Sequence, residues 1–163
     1  MLLRTRRQRS DMDWNVQCDT FATRLVATHA DLTLVPVPVA AAVHLRRAHL
    51  PRLRAAGPVG ALLARQSEAH AADAGLAALA AAHDGLPDEL VNFHWDPLTA
   101  AVALGWPGAG TERLRLTPAH TPGGNLVFEP DPAGRPATVV TRVDAAAFAE
   151  TWLSAIEAIG GPD

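Results

Sequence analysis

The segment Leu32-Thr33-Leu34-Val35-Pro36-Val37-Pro38-Val39 constrains the fold of this chain most. A short, continuous apolar run of this kind suits a strand buried inside a sheet. Pro36 and Pro38 can donate no ladder hydrogen bond, so the strand must end or reach an edge there. Ahead of the run, Asp19 can cap a helix extending to about His29, in which Phe21, Leu25 and Val26 share one face. A helix feeding a buried strand is half of a β-α-β unit, which favours an α/β fold.

Helical patterning dominates from about 41 to 83. Pro58 follows Gly57 as a first-turn residue, Leu62, Leu63, Leu76 and Leu79 supply buried positions, and the alanine-rich piece Ala69 to Ala82 has high helix propensity. Gly85-Leu86-Pro87 breaks this region. Asp96 and Pro97 then read as the N-cap and first turn of another helix, stopped by Gly105 and Pro107. From 111 to 143 the pattern changes to three strands, Arg113 to Thr117, Asn125 to Phe128 and Ala137 to Val143. Segments at Pro118, Pro122-Gly123-Gly124 and Pro132-Ala133-Gly134 separate them. Asp144 caps a last helix with Phe148, Trp152, Ile156 and Ile159 on one stripe, stopped by Gly160-Gly161. With no repeat and no linker, residues 13-163 read as one α/β domain behind a basic irregular arm, residues 1-12.

A chain of 163 residues with 48% apolar and 19% charged residues can bury a sizeable core and is not compositionally disordered. It has no Lys, so every fixed positive charge is an Arg. A net charge of -3 gives no reason to expect nucleic acid or membranes as partners. The arm containing Arg4, Arg6, Arg7 and Arg9 has no interleaved aromatic residues, and reads as an irregular leader more readily than as a phosphate-binding tail. No apolar stretch follows it as in a secretory signal, and no run reaches the ~18 apolar residues of a membrane span. Cys18 is the only cysteine, which excludes an intrachain disulfide and fits a reducing cytoplasm.

Two short segments carry more than fold. Asp13-Trp14-Asn15-Val16-Gln17-Cys18-Asp19, with a helix and an apolar strand behind it, resembles the Glu-Phe-Asn segment of the nucleoside hydrolases. Phe93-His94-Trp95-Asp96-Pro97-Leu98-Thr99-Ala100 resembles the His-Asp-Pro segment of the same family, and Ala137 to Asp144 with its helix resembles the family's last strand and helix. The resemblance runs in order over about residues 13 to 159. It implies a nucleoside hydrolase-like open mixed sheet with flanking helices whose N-terminal strands are missing. It also implies hydrolysis of ribonucleosides to base and ribose, of the inosine/uridine-preferring type that serves purine and pyrimidine nucleoside catabolism. In that frame Asp13 and Asn15 bind ribose hydroxyls, Asp96 is a calcium ligand, and His94 or Trp95 faces the leaving base.

The sequence departs from the family in three places. Asp13 stands where the family has Glu, one methylene shorter. Trp95 takes the place of the His, which moves one residue back to His94. No Asp-x-Asp-x-x-x-Asp-Asp cluster, the family's main source of calcium ligands and water-activating base, occurs in the chain. Calcium takes six to eight oxygens, several from carboxylates, so an isolated Asp96 binds it weakly. The expectation is an impaired hydrolase, truncated at its N-terminus. The alternative is a non-catalytic remnant acting as a binding or assembly module. Its partner is then a separately encoded N-terminal half or a second copy in a homo-oligomer.

Each candidate also has a plain structural reading. Asp96 before Pro97 is an ordinary helix start, Asn15 can satisfy loop backbone, Asp13 can be a solvated acid and His94 a partly buried histidine. His29, His44, His49, His70, His83 and His120 show no metal-ligand spacing. Trp14, Trp106 and Trp152 are expected in the core, and Trp95 there or stacked on a base.

Overall fold

The computed structural model describes residues 13–160. In chain order the elements are α1 Trp14–Cys18, α2 Thr20–His29, β1 Leu32–Leu34, α3 Val37–Ala40, β2 His44–Arg46, a 3-10 turn Arg47–His49, α4 Leu50–Ala55, α5 Gly57–Asp73, α6 Leu76–Ala82, β3 Leu90–Phe93, α7 Trp95–Ala103, β4 Ala109–His120, β5 Leu126–Pro130, β6 Arg135–Val143 and α8 Ala145–Gly160. They form two compact units. The first comprises the described residues up to Val37 together with Gly110–Arg142, and the second comprises Pro38–Ala109 and the chain from Val143 on. The arginine arm lies outside the described residues.

The first unit is a mixed sheet in the order β1-β6-β4-β5, with β1 parallel to β6 and β4 antiparallel to β5. Its strand β1 ends at Leu34, ahead of the prolines, because Pro36 and Pro38 have no N–H to donate to a ladder. Leu116, Ala137 and Val139 form its core, with Leu32, Leu34, Leu114 and Phe128 packed around them. Asp19 caps α2 as its sequence requires, accepting from the Ala22 N–H at 2.8 Å. Gln17 ties α1 to the edge strand β5: its Nε2 donates to the Leu126 carbonyl at 2.8 Å and its Oε1 accepts the Leu126 N–H at 3.0 Å. The side-chain amide thus pairs with the edge as a backbone would.

Two expectations fail in this unit, and a third holds with an unexpected exposure. Trp14 is 76% exposed and outside the core, since α1 is too short to bring it inward. The face shared by Phe21, Leu25 and Val26 exists but is exposed. Pro118 does not separate strands: it lies inside β4, opposite Phe128.

The second unit packs helices on a two-stranded antiparallel ribbon of β2 and β3. Its core joins Leu45 of β2, Val91 of β3, Leu50 and Leu53 of α4, Ala64 of α5 and Leu153 of α8. Arg52 on α4 reaches across to α8, where it bonds Glu157 through Nε at 2.5 Å and Glu150 through Nη1 at 2.6 Å. Asp144 caps α8 by accepting the Ala147 N–H at 3.0 Å. Trp152 packs on this core, while Trp106 meets Phe148 edge-on at 5.4 Å. Both are half-buried and pack against core residues, where the sequence expectation put them inside the core.

Here too the sequence misleads in places. The helical reading of 41 to 83 hides β2, whose His44 and Leu45 are buried where they pair with a strand some fifty residues on. Gly75, at φ 63°, splits the alanine-rich helix into α5 and α6. Asp96 is not an N-cap: the cap is His94, whose carbonyl accepts the Leu98 N–H at 3.0 Å, and Asp96 lies in the first turn. Pro97 is tolerated there since first-turn N–H groups lack intrahelical partners in any case.

Gly60 marks the close crossing of α4 and α5. A Cβ there would lie 2.2 Å from the Leu53 carbonyl oxygen and 2.9 Å from the Ala56 Cβ. Alanine is the better helix former by about 1 kcal/mol, yet overpacking costs about 1–3 kcal/mol. Gly60→Ala is therefore expected to lower the urea midpoint. An unchanged or raised midpoint would show that the two helices do not cross this closely.

Candidate functional site

The sequence candidates fall into both units, and each unit has its own geometry. In the first, Asp13 precedes α1 and its Oδ1 accepts the Val16 N–H at 3.2 Å, so one carboxylate oxygen caps the helix while the other has no hydrogen bond among the described residues. Asn15 lies in the first turn of α1 with its side chain exposed. A cavity of about 220 Å³ in this unit is walled by Leu32, Pro118, Phe128 and Ala137, with Thr28, Thr117 and Arg135 as its polar side chains. It holds neither Asp13 nor Asn15.

In the second unit, β3 runs directly into α7 and places three consecutive candidates in three different settings. His94 is 3% exposed; its backbone N–H donates to the Val43 carbonyl at 3.0 Å. Its ring lies 4.4 Å from Trp152 and 6.0 Å from Phe148, and Nδ1 has no hydrogen-bond partner. Burial pushes its pKa down to about 4, with the nearby His49 and His44 adding to the effect, so the ring is neutral at pH 7. Trp95 is 48% exposed and stacks on Phe93 at 4.8 Å, which leaves part of the indole to solvent. Asp96 is exposed on the first turn of α7. Adjacent residues at a helix entry point in different directions, and here one is core, one half-covers an aromatic ring and one faces water.

A calcium site requires several carboxylate oxygens around one point. Among the described residues no three His, Cys, Asp or Glu side chains gather to hold a metal ion. Asp96 therefore does not fit a calcium site by itself. No helix of the described residues is long and apolar enough to cross a membrane.

The sequence reading passed over a histidine group. His44 on β2 is 8% exposed, and neither of its ring nitrogens has a well-formed hydrogen bond. It lines a cavity of about 270 Å³ with Arg46, His49, Glu150 and the alanines at the start of α8. Burial lowers its pKa, the Ala41 backbone opposes that, and Arg46 reinforces it. The only signal in the sequence was a histidine flanked by Val43 and Leu45, a buried-strand pattern inside a region that otherwise reads as helix.

No family model matches the chain, and no curated protein is similar enough to match it. Among solved structures, the chain is similar to an inosine-uridine preferring nucleoside hydrolase from Bacillus anthracis, with a TM-score of 0.58 at 16% sequence identity. The alignment covers 93% of this chain and 46% of that one, so the chain spans less than half the length of its structural neighbour. At this identity the likeness speaks for fold alone: a mixed α/β architecture with a mixed sheet and flanking helices, resembling the nucleoside hydrolase fold.

Proposed function

We propose that the chain acts in hydrolysis of the N-glycosidic bond of ribonucleosides. The observation that carries this reading is the fold likeness to a nucleoside hydrolase over 93% of the chain. The order of the Asp13-Trp14-Asn15 and His94-Trp95-Asp96 segments supports it. Cleavage passes through an oxocarbenium-like sugar, so the protein must fix the ribose and face the departing base with groups suited to it. Asp13 has one carboxylate oxygen without a hydrogen bond among the described residues to offer a ribose hydroxyl, and the exposed Asn15 amide can both donate to and accept from the sugar. Trp95 offers an exposed aromatic surface for a nucleobase. His94, neutral and buried in the free protein, would have to turn outward to meet a leaving group. Asp96 would be one metal ligand among others from outside the described residues, and the chemistry is weak without them. The lone Cys18 suits a reducing cytoplasm as its setting.

Nitrophenol release from a nitrophenyl riboside by the purified chain tests the reading, in matched samples with calcium and with chelator. Slow release is expected, with kcat/KM about tenfold lower in Asn15→Ala and in Trp95→Ala, as the loss of one contact worth about 1.4 kcal/mol predicts. Release that chelator abolishes would mean that further carboxylates complete a metal site with Asp96. A folded chain with no release above buffer overturns the catalytic reading.

A further inference from the structure

The cavity of about 220 Å³ lies wholly in the first unit, holds none of the candidate site residues and plays no part in the reading above. Strand pairing builds its apolar wall. Ala137 of β6 pairs with Leu32 of β1, and both belong to one core with Leu116 of β4. Phe128 of β5 stands opposite Pro118, two residues on from Leu116, and so faces the same side of the sheet. From α2 only Ala27 and Thr28 reach this space, and side chains so short leave it unfilled among the described residues.

The wall is poor in donors. Pro118 and Pro136 have no N–H, and the N–H groups of Ala133 and Gly134 are taken by the Asp131 carboxylate and carbonyl, each at 2.8 Å. The Thr28 hydroxyl donates to the Arg24 carbonyl at 2.7 Å, and the Thr117 hydroxyl to Asp131 at 2.8 Å. Arg135 remains. It is the one charged residue of the wall and, among the described residues, forms no ion pair. It stands two residues before Ala137 on β6, so its side chain leaves the strand on the Ala137 side. Its stem can cover apolar wall while the guanidinium stays at the wet rim.

These two features select a ligand. A bare oxyanion would leave Leu32, Leu116 and Phe128 uncovered, and a neutral hydrocarbon would leave the guanidinium unpaired. An organic carboxylate meets both needs: its body takes apolar surface out of water, and its planar head matches the arginine fork through two parallel N–H bonds. A cavity of roughly 150 Å³ already accepts benzene. About 220 Å³ therefore accommodates one ring or a short chain together with a carboxylate. We propose that this cavity binds a small organic monocarboxylate, its apolar body against Leu32, Leu116 and Phe128 and its carboxylate on Arg135.

The test is amide NMR titration of the full chain with benzoate, acetate and benzamide at constant ionic strength. Benzoate is expected to shift the amides of Thr117, Phe128, Gly134 and Ala137 saturably. Acetate keeps the charge without the body, and benzamide the body without the charge; each should bind at least about tenfold more weakly. Arg135→Gln, at an exposed position, should weaken benzoate about tenfold. Arg113→Gln, at an exposed arginine of β4 outside the wall, should leave it unchanged. Benzamide matching benzoate, or Arg135→Gln binding as the parent does, overturns the pairing with Arg135. Acetate matching benzoate overturns the apolar part of the site. Saturable shifts confined to other amides, or none at all, overturn the site itself.

Discussion

Phe148→Ala is expected to destabilise the second unit by about 3–5 kcal/mol, the cost of deleting a buried aromatic side chain and leaving a cavity. Phe148 is 1% exposed at the start of α8. It receives Trp106 edge-on at 5.4 Å, with planes at 85°, and faces the His94 ring at 6.0 Å. Both are contacts that aromatic quadrupoles favour beyond mere area. Truncation therefore removes area, an edge-to-face pair and one wall of the His94 pocket together. Phe148→Leu keeps most of the volume and should cost well under half as much. Urea unfolding followed by tryptophan fluorescence reads both, because Trp106 and Trp152 report on this unit. Equal, small losses in the two variants would show that Phe148 is not a packing centre.

Local features of this fold were legible in the sequence, and nonlocal ones were not. Asp19 and Asp144 were readable as caps because a cap is decided within four residues. The end of β1 was readable because Pro36 and Pro38 lack an N–H whatever strand lies beside them. The strand β2 was not. His44 pairs with Phe93, and nothing near residue 44 states that partner. The histidine cavity followed the strand out of view, since its walls come from β2 and α8, about a hundred residues apart. Among the candidate site residues, the sequence located a helix start at Asp96-Pro97 but missed the strand β3 ahead of it and assigned the cap to the wrong residue. His94 takes that place because its backbone N–H is already held by the carbonyl of Val43, just ahead of β2. Trp14 was misplaced for the opposite reason. Its bulk argued for burial, but a five-residue helix at a sheet edge has no second layer to receive it.

Acid is expected to weaken the second unit well above the pH at which carboxylates protonate, and His94 is the main cause. Its pKa is pushed down to about 4 by burial first, then by His49 and His44, whereas in the unfolded chain it stays near 6.5. The folded state thus binds fewer protons than the unfolded state between these two values. Stability is complete above about pH 6.5 and is lost as pH falls toward 4. A displacement of this size corresponds to about 3 kcal/mol. His44 and His49, both lowered mainly by burial, act in the same direction over the upper part of that window. Asp131 and Glu157 are also lowered, through hydrogen bonds to Thr117 and Arg52 respectively, but as carboxylates they lose their contribution only at more acid pH. The measurement is urea unfolding at a series of pH values from 7.5 to 4, for the parent chain and for His94→Gln. The parent should lose stability steeply below pH 6.5 and the variant far less, whatever their absolute difference at pH 7. Ring-proton NMR supplies the site-specific check. A His94 resonance that titrates near 6.5 in the folded protein would mean that water reaches the imidazole, and the aromatic enclosure by Trp152 and Phe148 would have to be abandoned.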